Sequence, residues 1–342
     1  MPIVKTALTV KDLPPPPPDK TGWPWTEQTE PLPELMPDGS SEWPLISIVT
    51  PSYNQGQFIE ETIRSVLLQG YPNLEYIIID GGSTDSSVEI IKKYEQYLAY
   101  WVSEPDRGQS HGINKGLEKC TGDYIAWMNS SDCYIPGAFE FIFGTSKANY
   151  SDFIFGCATY GGKSLEETQV SYSSGIKEFK LEALLRFFYS QFYIVPSQSV
   201  FISKRLIQKV GLLNEDLHYC MDLDWNARIA LTQPNIYCAD QPICFYRHHD
   251  DAKTARKNNN TRKEAVEIAK KYTTYLSSRE RKKLYRLIRY NSQLKKCQSE
   301  QGENFSIQLL VILMTLPREA LSDTRFLGML KRKLYPRLIF LI

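Results

Sequence analysis

The chain lacks the cysteine spacing of a zinc site, an apolar run long enough for a bilayer, and an excess of either charge. Its seven cysteines, at 120, 133, 157, 220, 238, 244 and 297, are odd in number and scattered, with no C-x-x-C pair. That argues against a zinc framework or a disulfide scaffold and predicts buried thiols in a reducing compartment. A bilayer span needs roughly 18 apolar residues. The longest run, Phe305–Leu316, is shorter and is interrupted by Ser306 and Gln308. The N-terminus shows no basic segment followed by an apolar one, so no secretory signal is expected. Lys and Arg number 40 against 39 Asp and Glu, so global charge gives no argument for nucleic acid. No G-x-G-x-x-G follows a strand-like run, which disfavours a Rossmann dehydrogenase.

What is present is an alternation of buried-looking runs and amphipathic segments. The 342 residues, with 21 Tyr and 15 Phe, suffice for one large domain with appendages. Ile46–Thr50 and Tyr76–Ile79 read as strands that end abruptly in small, polar or acidic residues. Between them, Ile59, Ile63, Val66 and Leu67 mark one face of a helix over 58–69, which Tyr71-Pro72-Asn73 breaks. Ser83 or Asp85 can cap a following helix. Strands at 100–102 and 124–128 and a helix at 110–118 complete a β-α-β-α-β-α-β order, which predicts a doubly wound, mostly parallel sheet flanked by helices. In such sheets ligands bind outside the carboxyl ends of the strands.

Three regions follow. Residues 1–44 form a Pro/Trp-rich extended arm, with a polyproline tract at Pro14–Pro18 and tryptophans at 23, 25 and 43. The tryptophans call for burial, so the arm is expected to strap the domain rather than to bind a separate partner. Residues 45–250 hold the α/β domain. Residues 251–342 read as a helical, basic C-terminal extension.

The candidate chemistry lies at strand ends. Asp80, in Ile79-Asp80-Gly81-Gly82-Ser83-Thr84-Asp85, can accept hydrogen bonds from a nucleobase or ribose, although the same letters satisfy a capped turn. Asp132, after Asn129-Ser130-Ser131, suits a hard cation such as Mg²⁺ or Mn²⁺, and equally an Asx-turn. Asp222 and Asp224, taken alone, also read as solvated charges at a helix start.

Together these segments resemble the inverting family 2 glycosyltransferases of GT-A fold. The resemblance is carried by Ser47–Asn54, Ile79–Asp85, Glu104–Ser110, Ile113–Gly116 and Gly122–Asp132, in the family's order, and covers roughly residues 45–250. It implies that Pro51, Tyr53 and Asp80 surround the nucleobase and ribose, with Arg107 near the nucleotide. It implies that Asp132 holds a divalent cation (Mn²⁺ or Mg²⁺) against the donor diphosphate, with Ser131 beside it. Asp222 falls at the catalytic base, with Asp224 in reserve. His249 becomes a metal ligand and Lys253 a phosphate contact. The implied donor is a nucleotide-sugar, UDP-linked in preference to GDP- or dTDP-linked. The implied acceptor is a glycan or lipid-linked hydroxyl, in cell-surface polysaccharide or glycan assembly.

Three departures stand out. Ser131 and Gly81 replace acidic residues common in relatives, and Met221 replaces an acidic neighbour of Asp222. The last change is expected to leave the Asp222 pKa less raised. The rival readings are a catalytically lapsed sugar-nucleotide or glycan binder, supported by Ser131, and a nucleotidyltransferase. The latter would carry a Gly-rich basic signature where this chain has Pro51-Ser52-Tyr53-Asn54-Gln55. The basic and apolar residues interleaved over 305–342 imply contact with an anionic membrane surface, which predicts a cytoplasmic protein at the inner face of the membrane. Helices packed on the domain with a solvated basic face read the same letters.

Overall fold

The structure is a computed structural model. It describes residues 4–39, 41–145, 148–162, 168–172, 179–190, 195–249, 259–299, 303–323 and 326–331. Lys253 lies outside the described residues, as do Arg325, Arg332, Lys333 and Arg337 of the basic C-terminal segment.

The first half is the alternation that the sequence predicts. Strand β1 (Ile46–Ser52) leads to α1 (Ile59–Leu67), β2 (Leu74–Asp80), α2 (Ser87–Lys93), β3 (Tyr100–Ser103), α3 (Gln109–Leu117) and β4 (Tyr124–Trp127). These four strands pair in parallel in the order β3-β2-β1-β4. β1 and β2 are buried along their whole length. That is why they read as continuous apolar runs rather than alternating ones. After β3 at one edge the chain returns to pair β4 on the other side of β1. This places a topological switch point at the carboxyl end of β1, where ligands bind in such sheets.

The second half is mixed. β5 (Cys133–Tyr134), α4 (Ala138–Phe143), β6 (Phe153–Gly161), β7 (Thr168–Tyr172), α5 (Leu181–Ser190), β8 (Val200–Ser203), α6 (Lys204–Val210), α7 (Met221–Leu231) and β9 (Ile236–Arg247) follow. The sheet continues β4-β8-β6-β9-β5, with β7 on β6. β8 runs antiparallel to both β4 and β6, and β9 runs parallel to β6. β9 carries Asp240, Gln241 and Pro242 at its centre, which hid it from a periodicity reading. The ladder shifts register opposite Cys157, where those residues are accommodated.

The C-terminal helices are α8 (Asn259–Tyr272), α9 (Ser278–Ser299), α10 (Glu303–Thr315) and α11 (Pro317–Ser322), and residues 326–331 are also helical. Ala265, Ile268, Tyr272, Leu276 and Leu284 of this region share one apolar cluster with β-sheet residues Ile77, Ile79 and Phe155 and with Trp225. The first C-terminal helices therefore complete the main core. α10 and α11 form a separate small cluster with the end of α9.

The N-terminal segment lies over the domain as a strap. Val4 exchanges backbone hydrogen bonds with Leu74, Thr29 N–H donates to Leu68 C=O, and Leu32 N–H donates to Gly70 C=O. Gly70 has φ +66, and a Cβ there would stand 2.3 Å from Glu30 O. Only glycine meets both the left-handed backbone and the close passage of the strap. Trp25 and Trp43 are buried, and Trp23 Nε1 donates to Tyr134 O at 3.0 Å. Arg64 of α1 is fully buried beneath the strap. It donates to Pro14 O (2.8 Å), Pro24 O (2.9 Å), Trp25 O (2.8 Å) and the Tyr94 hydroxyl (3.1 Å).

None of the seven cysteines forms a disulfide. Among the described residues, no helix is long and apolar enough to cross a membrane.

Candidate functional site

The site is assembled at the carboxyl ends of β1, β2 and β4 and at the first turn of α7. Two loops there are laced together. Gly81 N–H donates to Ser52 O (2.8 Å). Asn54 N–H donates to Ser83 Oγ (2.7 Å), and Thr84 N–H returns to Asn54 Oδ1 (2.8 Å). Gly56 N–H reaches Asp85 Oδ2 (2.8 Å), and Gln55 N–H reaches Ser87 Oγ (2.9 Å). The Ser, Thr, Asn and Asp residues that made these loops look polar in the sequence thus satisfy backbone donors and stiffen the rim. Pro51 is buried at the rim, whereas Tyr53 is 61% exposed beside it in the chain.

Asp80 is buried and accepts from four donors. Its Oδ2 accepts from Gly82 N (3.1 Å), Ser83 N (2.8 Å) and Ser103 Oγ (2.7 Å), and its Oδ1 accepts from Ser83 Oγ. As placed, the carboxylate organises the β2 turn and ties it to β3. Arg107 is exposed and pairs with Glu215.

Asp132 follows β4 and is only 2% exposed. Its Oδ1 accepts from Arg247 N (2.9 Å), and its Oδ2 from Gln198 Nε2 (2.7 Å) and Asn129 Nδ2 (3.1 Å). Burial raises its pKa, and these donors oppose the rise. Arg247, at the end of β9, also donates to Ser131 O (2.8 Å) and pairs with Glu61 (3.0 Å). His249, two residues on, lies against Phe58 with ring centroids 4.9 Å apart. The structure therefore brings Asp132, Ser131 and the His249 segment to one edge, with Arg247 as the link.

The donor set tests the cation. Ser131, partly exposed, offers a hydroxyl where a second charge would strengthen binding. Among the described residues no three His, Cys, Asp or Glu side chains converge on one point. An all-protein cage is not built here. Mg²⁺ and Mn²⁺ bound through one carboxylate and substrate phosphates need none; Asp132 and His249 are the residues that would hold such an ion, and the Asp132 oxygens already accept three hydrogen bonds.

Asp222 and Asp224 open α7, and their surroundings separate them. Asp222 keeps part of its surface accessible, and its Oδ1 accepts from Leu223 N at 2.8 Å. Loss of solvation around the carboxyl raises its pKa above the ordinary carboxylate range. The rise comes from burial, not from a like charge, so Met221 does not cancel it. Asp224 is buried and accepts from Lys271 Nζ (2.9 Å), the Tyr272 hydroxyl (2.9 Å) and Arg228 Nε (3.0 Å). Burial works against the charge, but these partners, Lys271 and Tyr272 foremost, hold the carboxyl below its usual range. Its oxygens join α7 to α8, whereas among the described residues Asp222 makes no such link between helices.

Sequence reasoning passed over Glu264. Its carboxylate accepts from His218 N (3.1 Å), Tyr219 N (2.8 Å) and Cys220 N (2.9 Å), so α8 fixes the entry to α7 and with it the position of Asp222. An anion over unsatisfied N–H groups at a helix start is favourable. The only signal was an acidic residue in a basic stretch.

The family model for glycosyl transferase family 2 matches residues 47–210. An uncharacterized glycosyltransferase of Mycobacterium tuberculosis (strain ATCC 25618 / H37Rv) is 30% identical over 195 residues, 55% of this chain and 70% of that protein. One of Rickettsia typhi is 27% identical over 218 residues, 60% of this chain and 65% of that protein, so the match spans just under two thirds of the latter's length. Among solved structures, a mannosyltransferase from Pyrobaculum calidifontis in complex with GDP-Man and Mn²⁺ superposes with a TM-score of 0.56 at 15% identity, over 89% of this chain and 83% of that one. S. aureus TarS 1–349 in complex with UDP gives 0.51 at 18% identity, over 70% and 69%. At these identities the two structures speak for the shared fold. The chain belongs to the family 2 glycosyltransferases and has their GT-A architecture.

Proposed function

We propose that the protein is an inverting glycosyltransferase that moves a sugar from a nucleotide-sugar donor to a hydroxyl of a glycan or lipid-linked acceptor, in cell-surface polysaccharide assembly. The observation that carries this reading is Asp222, partly exposed as a residue but with its pKa raised by burial of the carboxyl, at a helix start that Glu264 fixes. Asp222 takes the acceptor hydroxyl's proton as that oxygen attacks the anomeric carbon. The nucleoside diphosphate departs from the opposite face, so configuration inverts. The rim of Pro51, Tyr53 and the β2 turn receives the nucleotide. A divalent cation that arrives with the donor, beside Asp132 and His249, would neutralise charge on the departing diphosphate. Lys253 and Arg107 are proposed as phosphate and nucleotide contacts.

Thermal unfolding with Mn²⁺ and a panel of UDP-, GDP-, dTDP- and CDP-linked sugars tests the donor reading. A ligand that binds only the native state at 100 times its Kd adds about 2.7 kcal/mol of stability. A UDP-linked sugar is expected to raise the midpoint. No shift with any of the four classes would remove the reading.

Membrane-surface contact is part of the same proposal. α10 exposes Ile307, Leu310, Val311 and Met314 at i, i+3, i+4 and i+7, with Met314 82% exposed. α9, packed beside it, carries eight basic residues and one acidic, and Lys282, Arg286, Arg289 and Lys296 are exposed. An apolar stripe next to a basic one suits an anionic bilayer surface. The double variant Leu310→Glu, Met314→Glu is expected to lose co-sedimentation with phosphatidylglycerol vesicles. Undiminished sedimentation of that variant would refute the contact.

A further inference from the structure

We propose that Asp106, rather than Asp80, is the carboxylate that reads the donor base, and that it selects a uracil-type imide. This rests on the nucleotide-sugar reading above. Asp80 has spent its oxygens on four donors within the β2 turn and the end of β3. A buried carboxylate so engaged in its own turn is a poor partner for a base N–H, which is better met from elsewhere on the rim, and Gly81 offers no acceptor side chain. The backbone at 81 leaves room that another side chain fills. A Cβ built on Gly81 would stand 2.7 Å from Asp106 Oδ2 and 3.1 Å from its Cγ. A Cβ on Gly112 would stand 3.2 Å from the same Oδ2 and 3.7 Å from Pro51 Cβ. The Asp106 carboxylate therefore sits in a notch between the end of β2 and α3, beside Pro51. It occupies the space where a side chain at 81 would begin.

The two oxygens of Asp106 differ. Oδ1 accepts from Gly108 N at 2.7 Å, which fixes the carboxyl group. Gly108 has φ +116, so the turn that presents this N–H needs glycine. Oδ2 has no donor among the described residues, and the side chain is partly exposed. The site thus presents a single open anionic acceptor.

That arrangement matches one class of base edge. Uracil and thymine carry one ring N–H between two carbonyls, so a single acceptor satisfies them. Guanine presents two adjacent donors, N1–H and its amino group, which suit a carboxylate with both oxygens turned to the base, whereas Oδ1 is turned to Gly108 N–H. Cytosine and adenine present a bare ring nitrogen there, lone pair against lone pair, because an ionised carboxylate only accepts. An acceptor that a bound base covers with the wrong edge loses its water and gains no bond, which is how polar sites reject analogues strongly.

The test is calorimetric titration of UDP, GDP and CDP with Mn²⁺ into the full chain and two variants. Asp106→Asn keeps an oxygen for Gly108 N–H and turns the open acceptor into a donor. It is expected to weaken UDP about tenfold to a hundredfold, the value of a charge-assisted hydrogen bond. CDP should hold or gain, because the amide can donate to the cytosine ring nitrogen. Gly81→Ala leaves Asp106 intact but crowds its Oδ2, and is expected to weaken UDP in the same direction. UDP binding unchanged in both variants would overturn the assignment while leaving the donor reading in place. A wild-type preference for GDP or CDP would overturn the base selection. Wild-type protein that binds none of the three, nor dTDP, would overturn the donor reading as well.

Discussion

Asp222→Asn is expected to lose about 10²- to 10⁴-fold in sugar transfer, the usual worth of a positioned general base. It should still bind donor and melt near the wild-type midpoint. Among the described residues Asp222 accepts only a local bond from Leu223 N, which an amide oxygen can also accept, so little of the described fold depends on its charge. Asp224→Asn should behave in the opposite way. Its carboxylate joins Lys271, Tyr272 and Arg228, and weakening that set is expected to cost about 1–3 kcal/mol of stability. Activity per folded molecule should survive. If Asp224→Asn abolishes transfer while Asp222→Asn retains it, the base is Asp224. The pH profile gives the sign independently. A base must be ionised, and burial raises the Asp222 pKa. The acid limb of kcat/KM should therefore fall away above the ordinary carboxylate range, with activity lost as pH drops through it.

Arg64→Ala should release the N-terminal strap and cost about 3 kcal/mol or more. The guanidinium is fully buried and serves three carbonyls of the strap, those of Pro14, Pro24 and Trp25. Truncation leaves those acceptors unpaired in an apolar setting, at about 1–3 kcal/mol each before relaxation. Arg64→Lys keeps the charge but cannot span three acceptors with one ammonium, so an intermediate loss is expected. Trypsin sensitivity at Lys11 and Lys20, both exposed, would report the release directly. If Arg64→Lys were as stable and as resistant as wild type, the guanidinium would not be the strap's anchor.

The parts of the fold that could be read from the chain were the local ones. β1 and β2 are continuous apolar runs because both faces are covered, and α1 shows a clean apolar face. β9 and β5 could not be read. β5 is two residues long, β9 is interrupted by polar residues, and both exist through pairing with distant partners. The site divides the same way. Asp222 was singled out by its place in a motif, and its role is a proposal. That Asp80 is consumed by its own turn, that Asp224 is tied to α8, and that Glu264 holds the entry to α7 all depend on contacts between residues far apart in the chain. Asp106 stood within a quoted motif, but its relation to Gly81 is a distance that spacing does not contain.

The central claim, a working transferase rather than a binder, rests most directly on turnover of the donor. Wild-type protein and Asp222→Asn should be compared for release of nucleoside diphosphate from a UDP-linked sugar that stabilises both, with Mn²⁺ and a hydroxyl acceptor. Wild type is expected to release it steadily, and the variant at least a hundredfold more slowly. Donor that binds wild type tightly and is never turned over, with or without acceptor, would contradict it and identify a lapsed member of the family.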